Sequence, residues 1–263
     1  MTPIHAVLPR STASESRLPA LFQRVGPGLL AALIVLTAGA WAFGAVAEEV
    51  AEGDTARSDQ RVADWLHGSA TDPFTDVFRA FTWTGNGGFL AVVVLVAALV
   101  LWRQGYVRDA LFVVFAFVGA EVITFGMKQG FRRQRPFFED PLATASSFSF
   151  PSGHSLVSLA VYGSIAIVVA RHTRNRRVAA AVVLVAALWI LAIGFSRLYL
   201  GVHFLTDVVA GYAAGAAWLA LLYLTLEARS RYTSRYRAST NEYRPKAKSP
   251  AAVRPSRNGP YDA

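Results

Sequence analysis

Six apolar runs, each close to the roughly 20 residues that carry a helix across a bilayer core, restrict this chain to one kind of architecture. They are Pro27–Ala47, Gly85–Trp102, Ala110–Met127, Ser152–Ala170, Val178–Phe195 and Phe204–Leu226. In hydrocarbon a backbone N–H or C=O finds no water, so each run must satisfy its own polar groups as a helix. The expectation is an all-α integral membrane bundle of six transmembrane helices over residues 27–226, with an outer interfacial helical segment at 48–84. Composition agrees: 16% of the residues are charged, where soluble domains carry about 25%. Cysteine is absent, which excludes disulfide staples, thiolate metal sites and a cysteine nucleophile. No repeat of solenoid length is visible.

Charge sets the orientation. With the N-terminus cytoplasmic, the inner segments carry 18 Lys and Arg and the outer segments eight, as the positive-inside rule requires. The outer segment 48–84 is acidic, with eight Asp or Glu against three Arg. Both termini are therefore expected inside, with 1–26 a cytoplasmic N-terminal segment and 227–263 a disordered basic cytoplasmic tail able to touch anionic lipid heads. The net charge of +9 does not indicate nucleic acid, because the basic residues sit at span ends and in the tail. Ala45-Val46-Ala47 resembles a signal-peptidase site, but the apolar run before it is long for a signal sequence, so an uncleaved first helix is expected. Within 48–84, Phe74, Val77, Phe78 and Phe81 share one helical face, and Val62, Trp65 and Leu66 repeat the pattern. One or two amphipathic helices at the outer interface follow.

This topology brings three polar groups to the outer surface. Lys128-Gln-Gly-Phe-Arg-Arg-Gln-Arg135-Pro136 ends the third span, Pro151-Ser152-Gly153-His154 opens the fourth, and Ser196-Arg197, His203 and Asp207 lie between the fifth and sixth. His203 and Asp207 are four apart at a helix start and share a face. A carboxylate there can accept the proton of one imidazole nitrogen, leaving the other free to attack. Lys128, Arg135 and Arg197 supply fixed positive charge matched to a phosphate, whose transition-state charge spreads over its oxygens. Ser152 and Gly153 open a helix whose free N–H groups favour an anion. His154 is placed to protonate a leaving oxygen.

Other polar residues have plainer readings. Arg132 and Arg133 read as span anchors. Glu121, an intramembrane carboxylate seven residues before Lys128, reads as its buried structural partner. His5, His67 and His172 have no paired acid or cation cluster and receive no role.

The three groups, K-x6-RP, PSGH and SR-x5-H-x3-D in this order, resemble the signature of the type 2 phosphatidic acid phosphatase superfamily. The resemblance covers Lys128 to Asp207, and every motif position carries the residue called for. It implies that His203 is a nucleophile forming a phosphohistidine, Asp207 its orienter and His154 the general acid. It further implies that Lys128, Arg135, Ser152, Gly153 and Arg197 hold the phosphate oxygens, with no metal and no cofactor. The expected function is a membrane lipid phosphatase acting at the outer face of a bacterial cytoplasmic membrane, its partners being the lipid phosphate substrate and membrane lipids. Undecaprenyl diphosphate stands first among substrates and glycerophospholipid monoesters, such as phosphatidic acid or phosphatidylglycerol phosphate, second. Transfer of phosphate to a lipid acceptor is the alternative within the same site. A transporter or non-catalytic protein retaining the phosphate cage is the alternative outside enzymes, and the intact His–Asp pair argues against it.

Overall fold

A computed structural model of the chain describes residues 27–242, with side chains from Gly28 to Ala228. Its described residues form helices and no strands: α1 (Pro27–Glu52), α2 (Ala56–Gly68), α3 (Asp72–Thr84), α4 (Gly87–Arg103), α5 (Val107–Phe131), α6 (Gly153–His172), α7 (Arg176–Tyr199) and α8 (Leu205–Glu242). Caps mark the starts. Asn86 accepts from Gly88 N, and Asn175 from Arg177 N, each at 2.9 Å, relieving N–H groups that have no partner within the helix. Between α4 and α5 the chain reverses through Gly105 at φ +84°, a conformation that glycine adopts without steric cost.

Five helices are long and apolar enough to cross a membrane alone. The sixth expected span, Gly85–Trp102, appears as α4, which has 17 residues and reaches the length of a span only together with α3, from which it is bent by 50°. The outer segment is correspondingly shorter than expected at its start, since α1 continues to Glu52. Ala47 lies inside that helix, packed with Phe150 and Ala210. The amphipathic part is two helices, α2 and α3, both packed on α7.

The bundle is centred on α6, which packs against α4, α5 and α7. Leu90, Phe112, Val113, Leu156 and Val161 are fully buried in one cluster. Small residues let α8 close on α6: a Cβ at Gly211 would lie 2.6 Å from Ser152 O, too close for any side chain. Leu95, Val122 and Val185 are exposed on outward faces suited to lipid. Trp83, just before the start of α4, and Trp102, in its last turn, are exposed near opposite ends of that helix, as interfacial aromatics are.

Among the described residues, those as far as Glu227 form one compact unit and those from Ala228 belong to a second. In the second, residues 228–242 are helical, where a disordered tail was expected; the expectations for 1–26 and for 243–263 lie outside the described residues.

Candidate active site

The ends of α3, α5 and α7, the starts of α4 and α6, and the loop after α5 line a cavity of about 680 Å³. α5 delivers Lys128 to it, the start of α6 delivers Gly153 and His154, the end of α7 delivers Arg197, and the α7–α8 turn delivers His203. The loop is aimed by the end of α5. Arg132 takes a left-handed conformation at φ 48°, and its N–H donates to Lys128 O at 3.0 Å, a helix ending more often built with glycine. The chain then folds back over the bundle, carrying Arg133 and Arg135 with it.

The start of α6 is fitted closely to its neighbours. A Cβ on Gly153 would lie 2.9 Å from Thr124 Cγ2, so glycine is what lets the helix start sit against α5. Ser152 caps the helix: its Oγ accepts from Ser155 N at 3.4 Å and from Ser155 Oγ at 3.1 Å. Its own N–H donates to Asp207 O at 2.9 Å. Ser152 is fully buried and, unlike Gly153 and His154, is not among the residues lining the cavity.

His203 is 2% exposed and Asp207 not at all. His203 Nδ1 lies 3.3 Å from Asp207 Oδ2, and Nε2 lies 3.0 Å from Arg135 Nη1. A guanidinium offers only donors, so Nε2 faces it with its lone pair and the proton is assigned to Nδ1, against the carboxylate. Burial presses this imidazole toward its neutral form; the Asp207 carboxylate opposes that and Arg135 and Arg197 reinforce it, leaving the pKa well below the usual histidine value. The ring is thus a neutral base with one nitrogen oriented and the other directed at cations.

Those cations differ in how they are engaged. Arg135 donates to Ser147 O at 2.7 Å, Ser147 Oγ at 3.1 Å and Phe148 O at 3.2 Å, and also to Val202 O, so it fixes the loop as well as facing the imidazole. Lys128 Nζ donates to Phe148 O. Arg197 is nearly buried and donates to Thr82 Oγ1 on α3, while its Nε is buried without an acceptor. A buried charged donor left unpaired is costly, and an anion oxygen in the cavity is a suitable partner.

Of the residues singled out in the sequence, Lys128, Arg135, Gly153, His154, Arg197 and His203 line one cavity, Asp207 stands behind His203, and Ser152 stands behind the helix start. Three further residues complete the surroundings of Asp207. Ser149 donates to Asp207 Oδ2. Arg133, read above as an anchor, donates at 2.7 Å both to Asp207 Oδ1 and to Asp59 Oδ2 of α2. No sequence signal distinguishes Ser149 from the serines around it. Asp59 did carry one: it lies three, four and seven residues before Val62, Ala63 and Leu66, on the apolar face of its helix, where a carboxylate needs a partner. Glu121 also departs from its reading. Lys128 does not pair with it, and Glu121 lines the cavity with no hydrogen bond or ion pair among the described residues.

Comparison with known proteins follows the same residues. The model of the PAP2 superfamily matches residues 109–231. A phosphatidylglycerophosphatase B of Bacillus subtilis (strain 168) is 34% identical over 146 residues, covering 53% of this chain and 69% of that protein. A lipid A 1-phosphatase of Rhizobium johnstonii is 36% identical over 112 residues, covering 39% of this chain and 41% of that protein. The crystal structure of a transmembrane PAP2 type phosphatidylglycerolphosphate phosphatase from Bacillus subtilis superposes with a TM-score of 0.67 at 24% identity, over 81% of this chain and 100% of the other.

Proposed function

Since the chain belongs to the PAP2 superfamily and is a multi-pass membrane phosphatase, we propose that it hydrolyses a lipid phosphate through a phosphohistidine formed on His203. The observation that carries this reading is the setting of His203: a buried imidazole with Nδ1 on Asp207 and Nε2 toward the cations of the cavity. In the first step the Nε2 lone pair forms an N–P bond as the P–O bond to the lipid breaks. His154 gives its proton to the leaving oxygen. In the second step His154 takes a proton from water, which attacks phosphorus and displaces His203 with release of inorganic phosphate. Lys128, Arg135 and Arg197 hold the phosphate oxygens together with the N–H groups at the start of α6. Ser152 acts one step back, capping the helix that presents Gly153 and His154. The counter-charge comes from side chains, and no metal or cofactor takes part.

A relative named for phosphatidylglycerophosphate favours a glycerophospholipid monoester, phosphatidylglycerol phosphate first, over undecaprenyl diphosphate, and one named for lipid A supports a lipid phosphate more generally. The catalytic unit is assigned to residues 27–226, with 1–26 and 227–263 cytoplasmic flanks. The distribution of Lys and Arg supports both termini inside and the cavity at the outer face of a bacterial cytoplasmic membrane.

The test is phosphate release by the detergent-purified chain in EDTA, with phosphatidylglycerol phosphate, phosphatidic acid, undecaprenyl diphosphate and a soluble sugar phosphate as substrates. Wild type is expected to act on lipid phosphates, to be inhibited by vanadate as a mimic of the five-coordinate transition state, and to lose activity on His203→Ala. A strict requirement for Mg²⁺ contradicts the mechanism; label passing to a lipid acceptor and not to water shows a phosphotransferase.

A further inference from the structure

Behind His203 and Asp207 lies a second charge pair that the mechanism above does not use. Arg133 spans two carboxylates: Nη1 to Asp207 Oδ1 and Nη2 to Asp59 Oδ2, each at 2.7 Å. Both carboxylates are essentially inaccessible, at 0% and 2% exposure, and the guanidinium is 15% exposed. Thr206 closes the group. It accepts from Arg133 Nη1 at 2.7 Å, and its N–H and hydroxyl both donate to Asp59. Phe204 stacks beneath the guanidinium, with Cζ 4.4 Å from the ring centre.

We propose that Asp59 and Arg133 form a positioning relay that fixes Asp207 and sets the charge His203 experiences during attack. The relay rests on the reading of His203 as the nucleophile. Its geometry leaves each Asp207 oxygen a separate duty: Oδ1 is taken by Arg133, and Oδ2 faces His203 Nδ1, Ser149 and Phe204 N. A carboxylate held at both oxygens cannot swing, so the imidazole plane is fixed with it. The charge arithmetic also favours attack. Two carboxylates and one guanidinium sum to −1 beside a neutral imidazole. As Nε2 bonds to phosphorus the ring becomes cationic, and the group as a whole becomes neutral. The remaining negative charge is in place before the positive charge forms. It works against the cations facing His203 from the other side, Arg135 directly and Lys128 and Arg197 across the cavity, which the titratable His154 ring also lines. The relay gives α2, in a segment carrying none of the three motifs, a part in the chemistry.

Removing Arg133 and removing Asp59 change this sum in opposite directions. Arg133→Gln leaves −2, favours the imidazolium, and is expected to move the acidic limb of kcat/KM to higher pH by about one unit. Asp59→Asn leaves zero, and its limb is expected to lie no higher than in wild type. The double variant restores −1, so its limb returns to the wild-type position although kcat stays low. Losses in kcat of between about ten- and a hundredfold, with KM little changed, are expected throughout from misplacement of the imidazole. Should Arg133→Gln fail to fold, Arg133→Lys keeps the charge without the fork and is expected to lose kcat with an unmoved limb. A merely structural brace predicts limbs that coincide in all variants, or losses falling on KM, and either result overturns the relay. His203→Ala is measured alongside: activity retained there indicts the nucleophile assignment, whereas loss there with coincident limbs indicts the relay alone.

Discussion

At the scale of single residues, the site depends on close approach as much as on charge. Gly153 illustrates this, because it carries no functional group and yet stands where a Cβ would press on Thr124 Cγ2 at 2.9 Å. A methyl there forces α6 away from α5, shifting the N–H groups and His154 relative to Lys128. Gly153→Ala is expected to lower kcat by between about ten- and a hundredfold while leaving the folded protein intact, checked by kinetics beside thermal unfolding in the same detergent. Most of the site at this scale was legible in the sequence, since motif spacing placed Lys128, Arg135, Gly153, His154, Arg197, His203 and Asp207 at helix ends on one side of the membrane. What was not legible depends on contacts across long separations. Arg133 and Arg132 are adjacent and chemically identical in the sequence, and only the fold-back after α5 decides that Arg133 reaches Asp59 and Asp207. Ser152 shows the converse, a motif residue whose hydroxyl the helix start claims as a cap.

At the scale of helices, α6 is held by small residues on its neighbours. Its contact with α8 requires Gly211, where a Cβ would meet Ser152 O at 2.6 Å and Ser155 Cβ at 2.8 Å. Gly211→Val is therefore expected to destabilise the bundle by about 1–3 kcal/mol through overpacking, read as a lowered midpoint of thermal unfolding. It should also reduce activity, because the displaced atoms belong to the cap that presents Gly153. Apolar run lengths gave the helices and their order correctly. They could not give the α3–α4 arrangement, because hydropathy sees α4 as a separate span and does not register that Asn86 caps it directly after α3 has ended. Nor could they show that α1 runs on through Glu48 and Glu49 to Glu52, since a helix leaving hydrocarbon can continue into the interface with charged residues.

At the scale of the whole molecule, the proposed topology is directional: it has both termini inside and the cavity opening outward, and it rests on the distribution of Lys and Arg. The natural absence of cysteine makes this testable without background. Single cysteines at Asp54, in the α1–α2 connection, and at Gln104, after α4, replace exposed residues predicted to lie on opposite sides. In intact spheroplasts, a membrane-impermeant maleimide is expected to label the first and spare the second until the membrane is opened. The reverse pattern places the phosphatase site in the cytoplasm.

The claim joining these scales is that His203 Nε2 bonds to phosphorus. It is tested most directly by mixing the chain with substrate labelled in the scissile phosphate, quenching in alkali within a turnover, and mapping any protein-bound label. The prediction is an alkali-stable, acid-labile phosphate on the peptide containing His203, absent from His203→Asn. Turnover without protein-bound label, or label that persists in His203→Asn, contradicts it.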